Sequence, residues 1–170
     1  MAETTVKRLK RSALLHYIDT SFNTDSTSYA WFLIGKDVSE LSVNLNPTIT
    51  PTKNILDETN VTDEGYEPNF DVDTYYADPS DGAFYEKIKD IAMNRLTGDD
   101  CKTRVLEVTI DKTSAPYDAW IEDVIIKPQT YGGATGGVRY PYHIAFCGNR
   151  KKVSVTITDK IPTITAASGE

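Results

Sequence analysis

The strictest constraint in this chain is alternation. Val138, Tyr140, Tyr142, Ile144 and Phe146 recur at every second position, and Val153, Val155 and Ile157 do so again with Ser154, Thr156 and Thr158 between them. A period of two sorts side chains onto opposite faces of a strand, so each run demands a sheet with one face against a core. Residues 104–110 and 119–127 read as two further strands, the latter apolar on both faces. A fold assembled from these pieces must be mainly β.

The first half adds strands and one helix. Ala13, Leu14, Leu15, Tyr17 and Ile18 form an apolar run just after the basic cluster of Lys7, Arg8, Lys10 and Arg11. A second run covers residues 29–34, and the turn Gly35-Lys36-Asp37 leads into Leu41, Val43 and Leu45 at alternate positions, a hairpin signal. Phe70 and Val72 alternate with Asp71 and Asp73 and read as its third partner. Over residues 81–96 the period changes: Phe84, Ile88, Ile91, Ala92 and Leu96 make one helical stripe, with Ser80 or Asp81 as its cap and Gly98 as its stop. Seven or eight strands with one flanking helix predict a β-sandwich or partly rolled barrel.

Between these elements lies a segment of different character. Pro47 and Pro51 cannot donate to a ladder, and residues 46–68 are rich in Thr, Asn, Asp and Glu. The segment reads as an extended loop or arm, longer than a compact domain normally tolerates without a use for it. The chain reads as one domain over residues 1–170, with a flexible N-terminal segment at 1–12 and a flexible C-terminus at 160–170.

Little here points to chemistry. The two histidines, His16 and His143, sit in strands without a neighbouring nucleophile, and the glycine-rich turn at 131–137 lacks both the Lys and the following helix of a phosphate loop. Cys101 and Cys147 show no metal-ligand spacing and read as reduced thiols. Asp71 and Asp73 lack the glycine and terminal Glu of a calcium loop. No metal, cofactor or catalytic residue is expected, and the chain reads as a non-enzyme. No apolar run is long enough to cross a membrane, and the first residues lack the apolar core of a secretory signal, so synthesis in the cytoplasm is expected. The formal net charge of −7 argues against gripping nucleic acid, since that affinity comes from Lys and Arg on phosphates.

The order LLHYIDT, then WFLIGKDVSELSVNLNPTITPTKNILDETN, then GYEPNFDVDTYY, then DPSDGAFYEKIKDIAMNRLTGD resembles the major tail protein, or tail tube protein, of long-tailed phages of Gram-positive bacteria. The late segment YDAWIEDVIIKPQTYGGATGGVRYPYHIAFCGNRK is similar to the closing strands of that family, so the resemblance covers most of the chain. It implies a β-sandwich flanked by a helix, hexameric rings stacked into a tube, and a channel through which DNA passes without specific binding. It implies further tail proteins as partners: a tape measure, a tail terminator and a distal tail protein. The virion is the implied location, after synthesis in the host cytoplasm. The arm, represented by Asn46, Pro47, Pro51, Asn54, Ile55, Leu56 and Asp57, would reach a neighbouring subunit or ring, and the N-terminal segment would help seal ring to ring. An additional Ig-like domain, present in some relatives, is not expected.

An acidic subunit suits such a duct, because a repeated negative wall repels the polyanion inside it. Asp71, Asp73 and Glu107 are the candidate lumen-lining residues, with Glu122 or Asp123 as substitutes on the neighbouring strand. Two alternatives stay open: the tube of a contractile tail or a headless tailocin, and a carbohydrate-binding β-sandwich in which Tyr75, Tyr76, Tyr131, Tyr140 and Tyr142 would stack on sugar.

Overall fold

The computed structural model of the chain describes residues 8–167. It is mainly β with a single α-helix. In chain order the strands are β1 (Leu14–Asp19), β2 (Trp31–Ile34), β3 (Pro47–Lys53), β4 (Thr59–Tyr66) and β5 (Asn69–Val72). After helix α1 (Ala83–Asn94) come β6 (Lys102–Thr109), β7 (Tyr117–Pro128), β8 (Tyr142–Thr158) and β9 (Ile161–Ala167). Hydrogen bonding orders them β2-β1-β6-β7-β8-β5, with β9 also paired to β8, while β3 and β4 form a sheet of their own.

The described residues fall into two compact units. One holds 8–36, Lys102–Asp123 and 148–167, the other Asp37–Cys101 and Val124–Cys147. Neither is a continuous stretch of chain, and β7 and β8 contribute residues to both.

In the first unit, β1 lies antiparallel between β2 and β6, with His16 opposite Ile34 on one side and Glu107 on the other. Alternation decides the faces. Tyr17, Leu106, Val108, Ala119, Ile121, Val153 and Val155 close into one buried cluster, and the Tyr17 hydroxyl donates to the Lys160 carbonyl at 2.9 Å. β9 also touches β2, so this unit's sheet curls toward its own far edge. The loop after β1 is tied down by a buried ion pair: the Arg104 guanidinium donates to Asp19 Oδ2 at 2.7 and 3.1 Å and to the Ser26 carbonyl at 2.7 Å. Its face lies over the Tyr29 ring at 4.3 Å, and Tyr29 stacks on Trp31. A carboxylate as buried as Asp19 is tolerable because its oxygens also accept from Ser21 and Ala30.

In the second unit, α1 presents Phe84, Ile88 and Ile91 to the core, where Phe84 meets Tyr75 and Tyr142 edge-on at centroid distances of 4.9 and 5.6 Å. The helix starts two residues later than the sequence suggests within 81–96, because neither Ser80 nor Asp81 caps it. Asp78 accepts from the Ser80 N–H instead and closes a 3-10 turn at Pro79–Asp81. Asp81 is occupied by the Tyr75 hydroxyl at 2.9 Å, leaving Gly82 as the helix N-cap. At the other end Arg95, with φ of 52°, stops the helix ahead of Gly98.

Three further expectations change. Leu41, Val43 and Leu45 form no strand: Leu41 is buried but Leu45 is exposed, and this stretch contributes only an isolated bridge between Asn44 and Asn69. β5 pairs instead with β8, Asp71 opposite His143. The runs at 138–146 and 152–158 belong largely to one strand, β8, which passes through positive φ at Gly148 and Asn149 rather than turning. Finally, residues 161–167 of the expected flexible C-terminus are strand β9, paired with β8 from Thr158 opposite Ile161 onward. Asp159 and Lys160 both have positive φ, the geometry of a two-residue hairpin turn.

Candidate assembly surface

Residues 46–68 were expected as an extended arm, and the structure makes most of that segment a β-hairpin. β3 and β4 pair from Pro47 opposite Tyr66 to Lys53 opposite Thr59, with one irregularity between Thr48 and Ile49. The strands form because Thr48, Thr50 and Thr52 alternate with Ile49 and Pro51, and β-branched residues suit a pleated surface. Pro51 is tolerated by its register. The Asn54 N–H donates to the Glu58 carbonyl, so counting back along the ladder puts Pro51 and Val61 at a pair whose backbone groups point outward. The free edge of β3 therefore lacks a donor where Pro51 sits, which blunts it against strand addition.

Nearly every residue of the hairpin is exposed. Ile49, Pro51 and Val61 share one face, with Ile49 and Val61 each 60% exposed. At the tip Ile55 is 101% and Leu56 71% exposed. The tip is nevertheless fixed: Asn54 Oδ1 accepts from the backbone N–H groups of Leu56 and Glu58. Asp57 takes a positive φ of 61°. Two aliphatic side chains are thus displayed to water by a hydrogen-bonded turn.

The base of the hairpin is closed by the rest of its unit. Asn44 and Asn69 exchange backbone hydrogen bonds at 2.8 and 3.0 Å, and the Glu67 N–H donates to the Leu45 carbonyl at 3.1 Å.

The candidate lumen residues divide. Asp71 and Asp73 lie on the exposed side of β5 and its extension while Phe70 and Val72 are buried. Asp71 Oδ1 is 2.6 Å from His143 Nδ1 across the β5–β8 pair. Glu107 belongs to the other unit and is only 14% exposed. Arg150 bridges it at 2.9 Å and Glu122 at 2.8 Å, and His16 Nε2 stands 3.4 Å from its other oxygen. Burial pushes the Glu107 carboxyl up, but hydrogen bonds and charge from His16 and Arg150 together outweigh this and hold it below the usual carboxylate range. Arg150 also lies over the Trp120 ring at 5.7 Å, as does Lys152. Much of the negative charge of Glu107 and Glu122 is matched within this cluster. Asp123 is engaged by the Asn149 amide at 3.4 Å.

Tyr75, Tyr140 and Tyr142 are buried, so of the five tyrosines expected on a sugar-stacking surface only Tyr76 and Tyr131 are exposed. Cys101 is buried and Cys147 exposed, both as free thiols. The glycine-rich turn is a compact loop leading toward β8, in which a side chain at Gly133 would collide with the Gly137 carbonyl oxygen.

Sequence reasoning missed the pairing of the arm with itself. The Thr-x-Thr-x-Thr alternation signals it, but the two prolines outweigh that signal until the outward position of Pro51 is known. It also missed the Arg104–Asp19 pair, whose members lie far apart in the chain. No protein-family model matches the chain, and no curated protein sequence matches it.

Proposed function

We propose that this chain is a structural subunit that self-assembles into a phage tail tube, in stacked hexameric rings around a channel for DNA. The observation that carries the reading is the β3–β4 hairpin, whose tip is hydrogen-bonded in one shape and whose Ile49, Val61, Ile55 and Leu56 side chains are exposed. Removing one such aliphatic side chain from water is worth about 1.5 to 3 kcal/mol, so a fixed pair at a tip is a strong source of association energy. Fixing the tip beforehand also removes an ordering cost from binding. The net charge of −7 supports a role beside DNA without adhesion to it. Of the lumen-lining candidates, Asp73 is exposed and Asp71 is about half-exposed, with one oxygen against His143 Nδ1. In this reading the chain performs no catalysis, its partners are its own copies and the other tail proteins, and its place is the virion.

Negative-stain microscopy and sedimentation of the purified chain across concentration test the proposal. Rings or tubes that grow with concentration are expected. A protein that stays monomeric at every concentration, with no particle beyond its own size, rules the reading out.

A further inference from the structure

Asp81-Gly82 is the one Asp-Gly step in the sequence, which has no Asn-Gly step. Each residue stands there for its own structural reason. Gly82 is the N-cap of α1 with φ of 64° and ψ of −122°, backbone that an L side chain rarely adopts. Space does not demand a glycine, since a side chain there would meet no atom within 4 Å. Asp81 accepts the Tyr75 hydroxyl at 2.9 Å, and Tyr75 is itself held edge-on against Phe84 at 4.9 Å. Burial and the Asp81 carboxylate push the Tyr75 hydroxyl well above its ordinary range, so it keeps its proton and stays a donor. The two requirements fall on adjacent positions and make a chemically weak peptide, because a glycine nitrogen is the least hindered nucleophile that can follow an aspartate.

We infer that Asp81-Gly82 is a latent isomerisation site, guarded in the folded protein by the Tyr75 hydroxyl and by the turn at Pro79–Asp81. In the reaction the Gly82 nitrogen attacks Asp81 Cγ, loses its proton and expels one carboxyl oxygen as water, closing a succinimide ring. Water then adds back to either ring carbonyl. Opening at Cγ restores aspartate, whereas opening at the backbone carbonyl leaves the chain running through the side chain, an isoaspartyl residue of unchanged mass. The fold opposes the first step twice. The Gly82 N–H donates to the Pro79 carbonyl at 3.2 Å and the Asp81 N–H to the Asp78 carbonyl at 3.0 Å. These bonds keep Asp81 in helical backbone, where Cγ and the next nitrogen do not face each other. The Tyr75 hydroxyl ties one oxygen of the reacting carboxyl to the core, and turning Cγ onto the nitrogen costs that bond. An isoaspartyl linkage would lengthen the backbone just ahead of α1 and displace Phe84 from Tyr75 and Tyr142.

Ageing the purified chain tests this, with isoaspartate read by enzymatic methyl transfer from S-adenosylmethionine and located by peptide mapping. Folded wild type should gain label at this step more than about tenfold more slowly than wild type in guanidinium, because the reaction must wait for local opening of the turn. Tyr75→Phe keeps the ring and should speed labelling of the folded chain about tenfold, the weight of one hydrogen bond to a charged group. Asp81→Glu, whose longer side chain closes no such ring readily, should abolish the label here, alone or combined with Tyr75→Phe. Equal rates for wild type folded and in guanidinium overturn the protection by the fold. A folded Tyr75→Phe chain that ages like wild type overturns the part given to Tyr75, and label that survives Asp81→Glu overturns the site itself.

Discussion

Asn54 and Glu58 face each other across the tip of the β3–β4 hairpin, the Asn54 side-chain amide donating to a Glu58 carboxylate oxygen at 2.7 Å. With the two backbone N–H groups that Asn54 Oδ1 accepts, one side chain fixes the whole turn. The residues displayed by that turn, Ile55 and Leu56, are the most exposed large apolar side chains among the described residues, which is what the proposed assembly role rests on.

Asn54→Ala should therefore loosen the tip without unfolding the protein. The loss is about 1 kcal/mol, confined to the hairpin. Hydrogen exchange at the Leu56 and Glu58 amides should accelerate while the melting temperature holds, and assembly should need roughly fivefold more protein, the equivalent of that lost preorganisation. Unchanged exchange at those amides would show that the turn is held by something else.

Helix α1 makes the opposite kind of prediction, since Ile91 is 2% exposed. Ile91→Asp places an unpaired carboxylate in that core and should cost more than about 3 kcal/mol. Denaturant titration of the isolated subunit should show it unfolded or close to it. A normal transition midpoint would mean that the helix face is not packed as described.

The Glu107 cluster predicts a pH dependence. The folded carboxyl titrates below its ordinary value of 4.5, so the unfolded chain binds the proton first. The stabilisation is complete above that ordinary value and is lost as pH falls through the lower, folded one. Wild-type stability measured by urea titration should fall across that acidic window more steeply than that of Glu107→Gln. Identical slopes would remove Glu107 from the acid response.

The proposed lumenal role is tested best at Asp71 and Asp73, which lie at exposed positions. Replacing both with Lys should leave tubes intact but slow DNA ejection, most at low salt, where screening is weakest. Equal ejection rates at low salt would place these carboxylates away from the DNA.

How far the sequence could be read depended on whether the deciding interactions were local. The stripe of Phe84, Ile88 and Ile91 and the alternation of Phe70 with Asp71 are properties of neighbouring residues, and both faces emerged as expected. Pairing partners were less legible. Alternation at Leu41 and Val43 suggested a strand, but the backbone of Asn44 found Asn69 and nothing more. β9 was hidden because its turn, Asp159-Lys160, reaches positive φ without the glycine that usually announces it. Glu107 had the right parity for a solvent-facing carboxylate, yet Arg150, brought in by β8, matches its charge. That neighbour is not visible in any local window of sequence.

The central claim is that this chain assembles through its hairpin, and the most direct measurement compares the full chain with a hairpin deletion by negative-stain microscopy at matched concentrations. Asn44 and Asn69 hold the base together, and the Pro68 carbonyl accepts from the Phe146 N–H, so residues 46–67 can be replaced by a short Gly-Ser turn with β5 still paired. The full chain should form tubes, and the deletion variant should stay a folded monomer with an unaltered far-UV spectrum outside the lost strands. Tubes from the deletion variant, indistinguishable from those of the full chain, would contradict the account.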